Sequence, residues 1–96
     1  MTVILTPGVE EDIRDQLAWG IEHFGLETTL QTLERITQFI EIYLPLFPDG
    51  TGTYLRDIDA FEAPIPRTPF ILFYRHEPND TLRVLALFHH AQERRV

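Results

Sequence analysis

The first half of the chain repeats apolar residues every three or four positions, which predicts two amphipathic helices. On the first helix, five apolar residues share one face at 3.6 residues per turn: Val9, Ile13, Leu17, Ile21 and Phe24. Thr6 suits an N-cap, and Pro7 suits the first helical position, where its missing N–H has no partner to lose. Gly25 suits a C-terminal cap. The pattern therefore predicts a helix between Thr6 and Gly25.

A second stripe predicts a helix over residues 27–44. Its apolar positions are again three or four residues apart: Leu30, Leu33, Ile36, Ile40 and Leu44. Pro45 is expected to stop this helix, because proline cannot donate a backbone hydrogen bond. Phe39 and Ile42 fall outside the stripe, and they either pack under the following loop or form part of a partner surface. The short junction at Gly25 and Leu26 predicts that the two helices form an antiparallel hairpin.

Runs of apolar and β-branched residues predict four strands: residues 2–5, 54–61, 70–75 and 82–88. Three prolines make residues 63–69 an extended connector, and a polar cluster at residues 78–80 marks a tight turn. The predicted order is β-α-α-β-β-β. It indicates one α+β domain over residues 1–96, in which the antiparallel helical hairpin packs on one face of a small, mainly antiparallel sheet.

The last two strands form a hairpin whose two faces are both largely apolar. If the turn holds an even number of residues, one face carries Ile71, Phe73, Arg75, Leu82, Val84, Ala86 and Phe88. The opposite face then carries Phe70, Leu72, Tyr74, Arg83, Leu85 and Leu87. The helices can cover only one face. The other is expected to curl into a concave surface or to be covered by a partner.

The charge of the chain divides unevenly between its halves. Residues 1–50 contain nine acidic residues and two arginines, a net −7, whereas residues 51–96 contain six acidic residues and six arginines. The chain has no lysine, so each permanent side-chain cation is a forked guanidinium that suits a carboxylate or a phosphate. The acidic excess disfavours direct DNA binding by the chain alone, because it repels the phosphate backbone.

Several functional classes need residues that the chain does not have. No apolar run approaches the ~18–20 residues that cross a bilayer, and there is no cysteine for a disulfide or a thiolate. His89 and His90 are adjacent but lack a third ligand at a suitable spacing, so no metal site is expected. We therefore expect a cytoplasmic protein that needs no membrane and no cofactor.

Three stretches carry a resemblance that runs nearly end to end. VILTPGVEEDIRDQL is a strand followed by a Thr-Pro helix start and an acidic first helix. FPDGTGTYLRDI is a Pro- and Gly-containing loop that leads into an Arg-bearing strand, and RTPFILFYR with LRVLALFHHAQERR forms two closing strands and a His/Arg tail. In their order and spacing, these stretches resemble the RelE/ParE superfamily of type II toxin–antitoxin systems. The hairpin and tail are closer to the ParE branch, known as plasmid stabilisation proteins.

The resemblance implies a toxin that an operon partner neutralises. This partner would be a ParD-like antitoxin that wraps the toxin in a hetero-oligomer. ParE-like members act on DNA gyrase without being hydrolases, so gyrase inhibition by protein–protein contact is the function expected here. Two alternatives stay open: a RelE-like, ribosome-dependent mRNA endonuclease, and a degenerate, inactive module that binds only the antitoxin.

An RNA-cleaving site needs an acid–base group and cations around the phosphate. His89 or His90 would supply the acid or base, and three arginines would clamp the phosphate: Arg56, Arg67 and Arg83. The catalytic lysines of RelE-like members have no counterpart, since lysine is absent, and their terminal tyrosine has no clear match. The sequence therefore favours a contact role over catalysis.

The residues expected to contact gyrase or the antitoxin lie on the open sheet face and the tail: Arg67, Arg83, His89, His90, Arg94 and Arg95. Each also has an ordinary structural interpretation. One histidine would pack inward while the other is solvated. Arg83 would pair with Glu77 or Asp80 beside the hairpin turn, an interaction that contributes little at a surface.

Overall fold

Two helices pack on one face of a five-stranded sheet in the computed structural model, which describes residues 1–49 and 51–90. The elements follow the chain as β1 (Thr2–Leu5), α1 (Pro7–Phe24), α2 (Leu26–Gln38), a π-helical turn (Phe39–Tyr43), α3 (Leu44–Leu46), β2 (Thr53–Leu55), β3 (Ala60–Pro64), β4 (Phe70–Glu77) and β5 (Thr81–His89). The strand order is β1-β5-β4-β3-β2. Only β1 is parallel to its neighbour. The predicted α+β class and mainly antiparallel sheet are confirmed.

The ends of α1 form as the sequence predicts. The Thr6 side chain accepts a hydrogen bond from the Val9 N–H at 3.3 Å, which satisfies one of the free donors of the first turn. At the other end, Gly25 has φ +85° and its N–H donates to the Ile21 carbonyl. Glycine tolerates this left-handed conformation, so the chain can reverse at once into α2.

The second helix is longer and less regular than predicted. It continues past Pro45 to Leu46, and its α-helical pattern is interrupted by the π-helical turn, where the Leu44 N–H donates to the Phe39 carbonyl. The α-helical pattern restarts at Leu44, so Pro45 occupies a first-turn position, where a missing N–H costs little. The two apolar residues outside the helical stripe differ in exposure: Phe39 is buried, whereas Ile42 is exposed.

The strand predicted over residues 54–61 is two strands, β2 and β3, joined by a tight turn. The turn is held from outside, because the Arg75 guanidinium of β4 donates to the carbonyls of Asp59 at 2.8 Å and Ile58 at 3.1 Å. Asp59 has φ +50°, a left-handed conformation that aspartate tolerates better than most residues. The connector is also shorter than predicted, since Ala63 and Pro64 belong to β3. Pro64 lies beyond the part of β3 that pairs with β2.

The register of the final hairpin differs from the even-turn prediction. The turn between Glu77 and Thr81 holds three residues, and a bulge at Leu85 follows, where the pairing changes from Tyr74 with Val84 to Phe73 with Ala86. The odd turn rotates the first part of β5 by one residue, and the bulge restores the predicted faces beyond it. Three face assignments are therefore wrong: those of Leu82, Arg83 and Val84.

The core lies between the helices and the sheet face that carries Leu72 and Tyr74. From the helical layer it takes Val9, Ile36, Phe39, Ile40 and Leu44. Tyr74 is fully buried, and its hydroxyl donates to the Pro48 carbonyl at 2.8 Å. Burial, together with the nearby Asp49 carboxylate, raises the pKa of Tyr74 to about 12. The loop after the helices is thereby tied to the middle of the sheet.

Removing the Tyr74 hydroxyl should change how the free energy of unfolding depends on pH in the alkaline range. The pKa of Tyr74 is higher in the folded protein than its ordinary value of 10.0, so the protonated phenol stabilises the fold below pH 10, and this contribution is lost as the pH rises towards 12. At pH 7 we expect Tyr74→Phe to lower the free energy of unfolding by about 1 kcal/mol, because the variant lacks the hydrogen bond to the Pro48 carbonyl. Its stability should then fall less steeply than that of the wild type above pH 10. Urea unfolding at pH 7, 10 and 11.5 checks both effects, and parallel curves would contradict the assignment.

Candidate protein-binding surfaces

Arg83 lies on the sheet face that points away from the helices, next to Arg75 across the strand pair. Its Nε donates to both carboxylate oxygens of Glu77, at 2.9 and 3.1 Å. The expected pairing of Arg83 with Glu77 is confirmed. The Glu77 carboxylate therefore partly neutralises the charge of the Arg83 guanidinium, which is only partly exposed.

The two histidines lie at the end of the final hairpin. His89 pairs with Phe70 and therefore faces the helices, with the two rings edge to face at 5.4 Å. The pKa of His89 is lowered mainly by burial and, to a smaller extent, by the charge of neighbouring His90. His90 is exposed, its backbone N–H donates to the Pro69 carbonyl at 2.7 Å, and its ring stacks on that of His89 at 5.0 Å. The predicted inward and solvated positions are both confirmed.

The remaining predicted residues do not gather around the histidines. Arg67 lies on the connector between β3 and β4, where its carbonyl accepts a hydrogen bond from the Arg35 side chain at 3.2 Å. Arg56 is exposed in the turn between β2 and β3. Arg94 and Arg95 lie outside the described residues. The structure thus distributes the predicted residues over both sheet faces and two separate loops.

The far face of the sheet is also less open than expected at its centre. Ile71 and Phe73 point away from the helices, yet only 7% and 1% of their surfaces are exposed. Phe88 lies edge-on against Phe73 at 5.4 Å. At these two positions the apolar face is therefore covered by neighbouring residues of the chain itself.

A cleft opens between α1, α2 and the end of the final hairpin. It encloses about 80 Å³, and the residues that line it include Trp19, Phe24 and His89. Trp19 remains 45% exposed and stacks on His23 at 4.1 Å. The helices approach closely here because Gly20 has no Cβ. A Cβ at this position would lie only 2.9 Å from the Thr29 hydroxyl oxygen.

A wider groove lies at the end of the second helix. The sequence predicted two of its residues separately, Arg67 as a contact residue and Ile42 as part of a partner surface in one of two alternatives, but not the groove that joins them. We define the helix-end groove by Arg35, Ile42, Tyr43, Leu46, Pro66 and Arg67, which line a space of about 400 Å³. Aromatic rings continue along this stretch, with Tyr43 lying 5.5 Å from Phe39 and 5.2 Å from Phe47. The available signal was Ile42, an apolar residue outside the helical stripe.

Metal-binding groups and membrane-spanning helices were sought in the part of the chain that the structure describes. Within residues 1–49 and 51–90, no three His, Asp or Glu side chains are grouped so as to hold a metal ion. Within the same ranges, no helix has the length and apolar character needed to cross a bilayer. The cleft and the groove present exposed apolar side chains bordered by imidazole and guanidinium groups, a composition that is common at protein interfaces.

The fold and the exposed helical layer define a small α+β domain with surfaces suited to protein contact. The family model described as the ParE toxin of the type II toxin–antitoxin system parDE matches residues 3–94. The chain therefore belongs to the ParE toxin family, as the resemblance of its sequence motifs predicted. No curated protein matches the chain in sequence.

Two solved structures share this fold at low sequence identity. One is the chromosomal ParDE system from P. aeruginosa, with 15% identity and a TM-score of 0.71 over 93% of this chain and 95% of that chain. The other is the RelBE2 toxin–antitoxin complex from Mycobacterium tuberculosis, with 21% identity and a TM-score of 0.66 over 92% and 95% of the respective chains. Both are similar in backbone, which confirms the fold.

Proposed function

We propose that a cognate, ParD-like antitoxin neutralises this toxin and that the toxin acts in the cytoplasm on DNA gyrase by protein–protein contact. The observation that carries the proposal is the exposed apolar surface of the helical layer. Ile42, Tyr43 and Leu46, which line one groove, keep 60%, 46% and 66% of their surfaces exposed. Large apolar side chains grouped on a surface are typical of protein-binding sites. The two structural neighbours are themselves toxin–antitoxin systems, which supports such a partner.

The placement of the cations supports contact over catalysis. Arg83 and His89 lie on opposite faces of the sheet, so they cannot hold one phosphate between them. Arg83 is also engaged by Glu77. A clamp around a cleaved phosphate needs its donors to converge on one point. The three candidate clamp residues Arg56, Arg67 and Arg83 lie on separate parts of the fold, which favours a toxin that binds its target without hydrolysing RNA.

One observation favours the nuclease alternative. His89 and His90 stack at 5.0 Å, and the pKa of His89 is lowered by burial and by His90, so its imidazole is suited to accept a proton at neutral pH. Purified protein added to translating ribosomes tests this function. Cleavage of mRNA that is abolished by His89→Ala with His90→Ala would favour the endonuclease over gyrase inhibition.

Expression with and without the neighbouring small gene tests the proposed function. Induction of the toxin alone is expected to stop growth, and co-expression of the neighbour should restore it. Purified toxin is expected to block DNA supercoiling by purified gyrase, and addition of the purified neighbour should restore supercoiling. The absence of a growth defect without the neighbour would contradict the toxin function. Antitoxin binding with no effect on gyrase or mRNA would instead identify an inactive binding module.

A further inference from the structure

The helix-end groove has the form of a docking site, because its apolar side chains are exposed on a well-packed helix. Ile42, Tyr43 and Leu46 are 60%, 46% and 66% exposed. The opposite side of the same helical stretch is fully packed, with Ile40 at 5% and Leu44 at 0%. Their exposure therefore reflects the direction in which these side chains point rather than a loosely packed helix.

The wall of the groove opposite the helix is a fixed turn. The Thr68 N–H and hydroxyl both donate to the Ile65 carbonyl, at 3.3 and 2.9 Å. Arg67 sits inside this turn with φ +61°, an uncommon conformation for a residue with a side chain. The Arg35 side chain donates to the Arg67 carbonyl and thereby joins the turn to α2. The turn and the helix therefore form one preorganised edge.

The charge at this edge is opposite to that of the chain as a whole. Among the described residues, no carboxylate pairs with the guanidinium of Arg35 or Arg67. Glu34 and Glu41, which are close in sequence, do not line the groove. Residues 1–50, which include the helices, carry a net −7, so an acidic segment is repelled by the helical half of the chain as a whole and attracted at this edge.

We infer that the helix-end groove takes an acidic amphipathic segment of the antitoxin. An aliphatic or aromatic side chain of that segment fills the space between Ile42, Leu46 and Pro66, and its carboxylates pair with the arginines of the rim. This inference rests on the proposed antitoxin-binding function and adds the site and the chemistry of the bound segment. A buried anchor ringed by charge-assisted hydrogen bonds is the arrangement that concentrates binding energy in few residues.

Calorimetric titration of the purified product of the neighbouring small gene tests the apolar part of the inference. Ile42→Ala with Leu46→Ala should weaken its binding by about 30-fold or more, as expected for a binding hot spot. Leu26→Ala is the matched control, since Leu26 is 57% exposed at the opposite end of the same helix. That variant should change the affinity by less than about threefold, corresponding to a surface substitution outside the interface. Unchanged unfolding temperatures show that each variant is folded.

The charged part is tested by the salt dependence of the same titration. Arg67→Gln should weaken binding several-fold in low salt and reduce its dependence on salt, whereas Arg14→Gln, at an exposed position on α1, should change neither. Wild-type affinity in the Ile42→Ala, Leu46→Ala variant would overturn the inference and leave the proposed function intact. If the wild-type protein did not bind the antitoxin at all, both would be overturned.

Discussion

Binding of the antitoxin is expected to raise the unfolding temperature of this chain by about 15–30 °C. A partner that binds only the folded state at a free concentration of about 1,000 Kd adds ~4 kcal/mol of stability. In a domain of 60–100 residues, each kilocalorie shifts the unfolding temperature by about 4–8 °C. The physical cause is that the antitoxin covers exposed apolar residues such as Leu46 only when the helix that carries them is formed.

Differential scanning fluorimetry of the toxin, with and without excess antitoxin, measures this shift. The variant with Ile42→Ala and Leu46→Ala is the informative comparison. A 30-fold weaker affinity corresponds to ~2 kcal/mol, so at the same antitoxin concentration the shift should fall to about half. An unfolding temperature that stays constant on adding antitoxin to the wild type would contradict selective binding to the folded toxin.

Replacing Leu44 by alanine is expected to cost about 2–5 kcal/mol of folding free energy, the largest loss expected from any single substitution proposed for this chain. Leu44 is fully buried in the core cluster, so its truncation removes apolar contacts and leaves a cavity. A domain with a total stability of about 5–15 kcal/mol would lose a substantial part of it. The expected result in urea is a lower midpoint with an unchanged slope.

Leu46→Ala is the matched control for Leu44→Ala. The two leucines are two residues apart on α3, but Leu46 is 66% exposed, so its truncation should change stability by no more than about 0.5 kcal/mol. Similar losses for both variants would contradict the orientation of this helix. Comparing the two variants also distinguishes two roles, since Leu44→Ala is expected to lower stability and Leu46→Ala is expected to weaken antitoxin binding.

The candidate surfaces could be predicted from the sequence only where the contacts are local. Arg83 and Glu77 are six residues apart and flank a turn, so their pairing followed from the pattern. The opposite placement of Arg83 and His89 did not, because it depends on one odd turn and on one bulge residue, Leu85. The helix-end groove also escaped prediction, since it joins residues near 42 to residues near 66. The tail residues Arg94 and Arg95 remain predictions.

The ends of the first helix and the α+β class follow from the amino-acid sequence alone. The Thr6 side chain caps the helix through the Val9 N–H, and Gly25 adopts a left-handed conformation, so both ends rest on preferences that act within a few residues. Only the tertiary structure decided the division of residues 54–61 into two strands, because the turn between them is held by Arg75 from a neighbouring strand. It also decided which apolar residues remain exposed, since Leu44 and Leu46 differ in what lies beside them rather than in chemical nature.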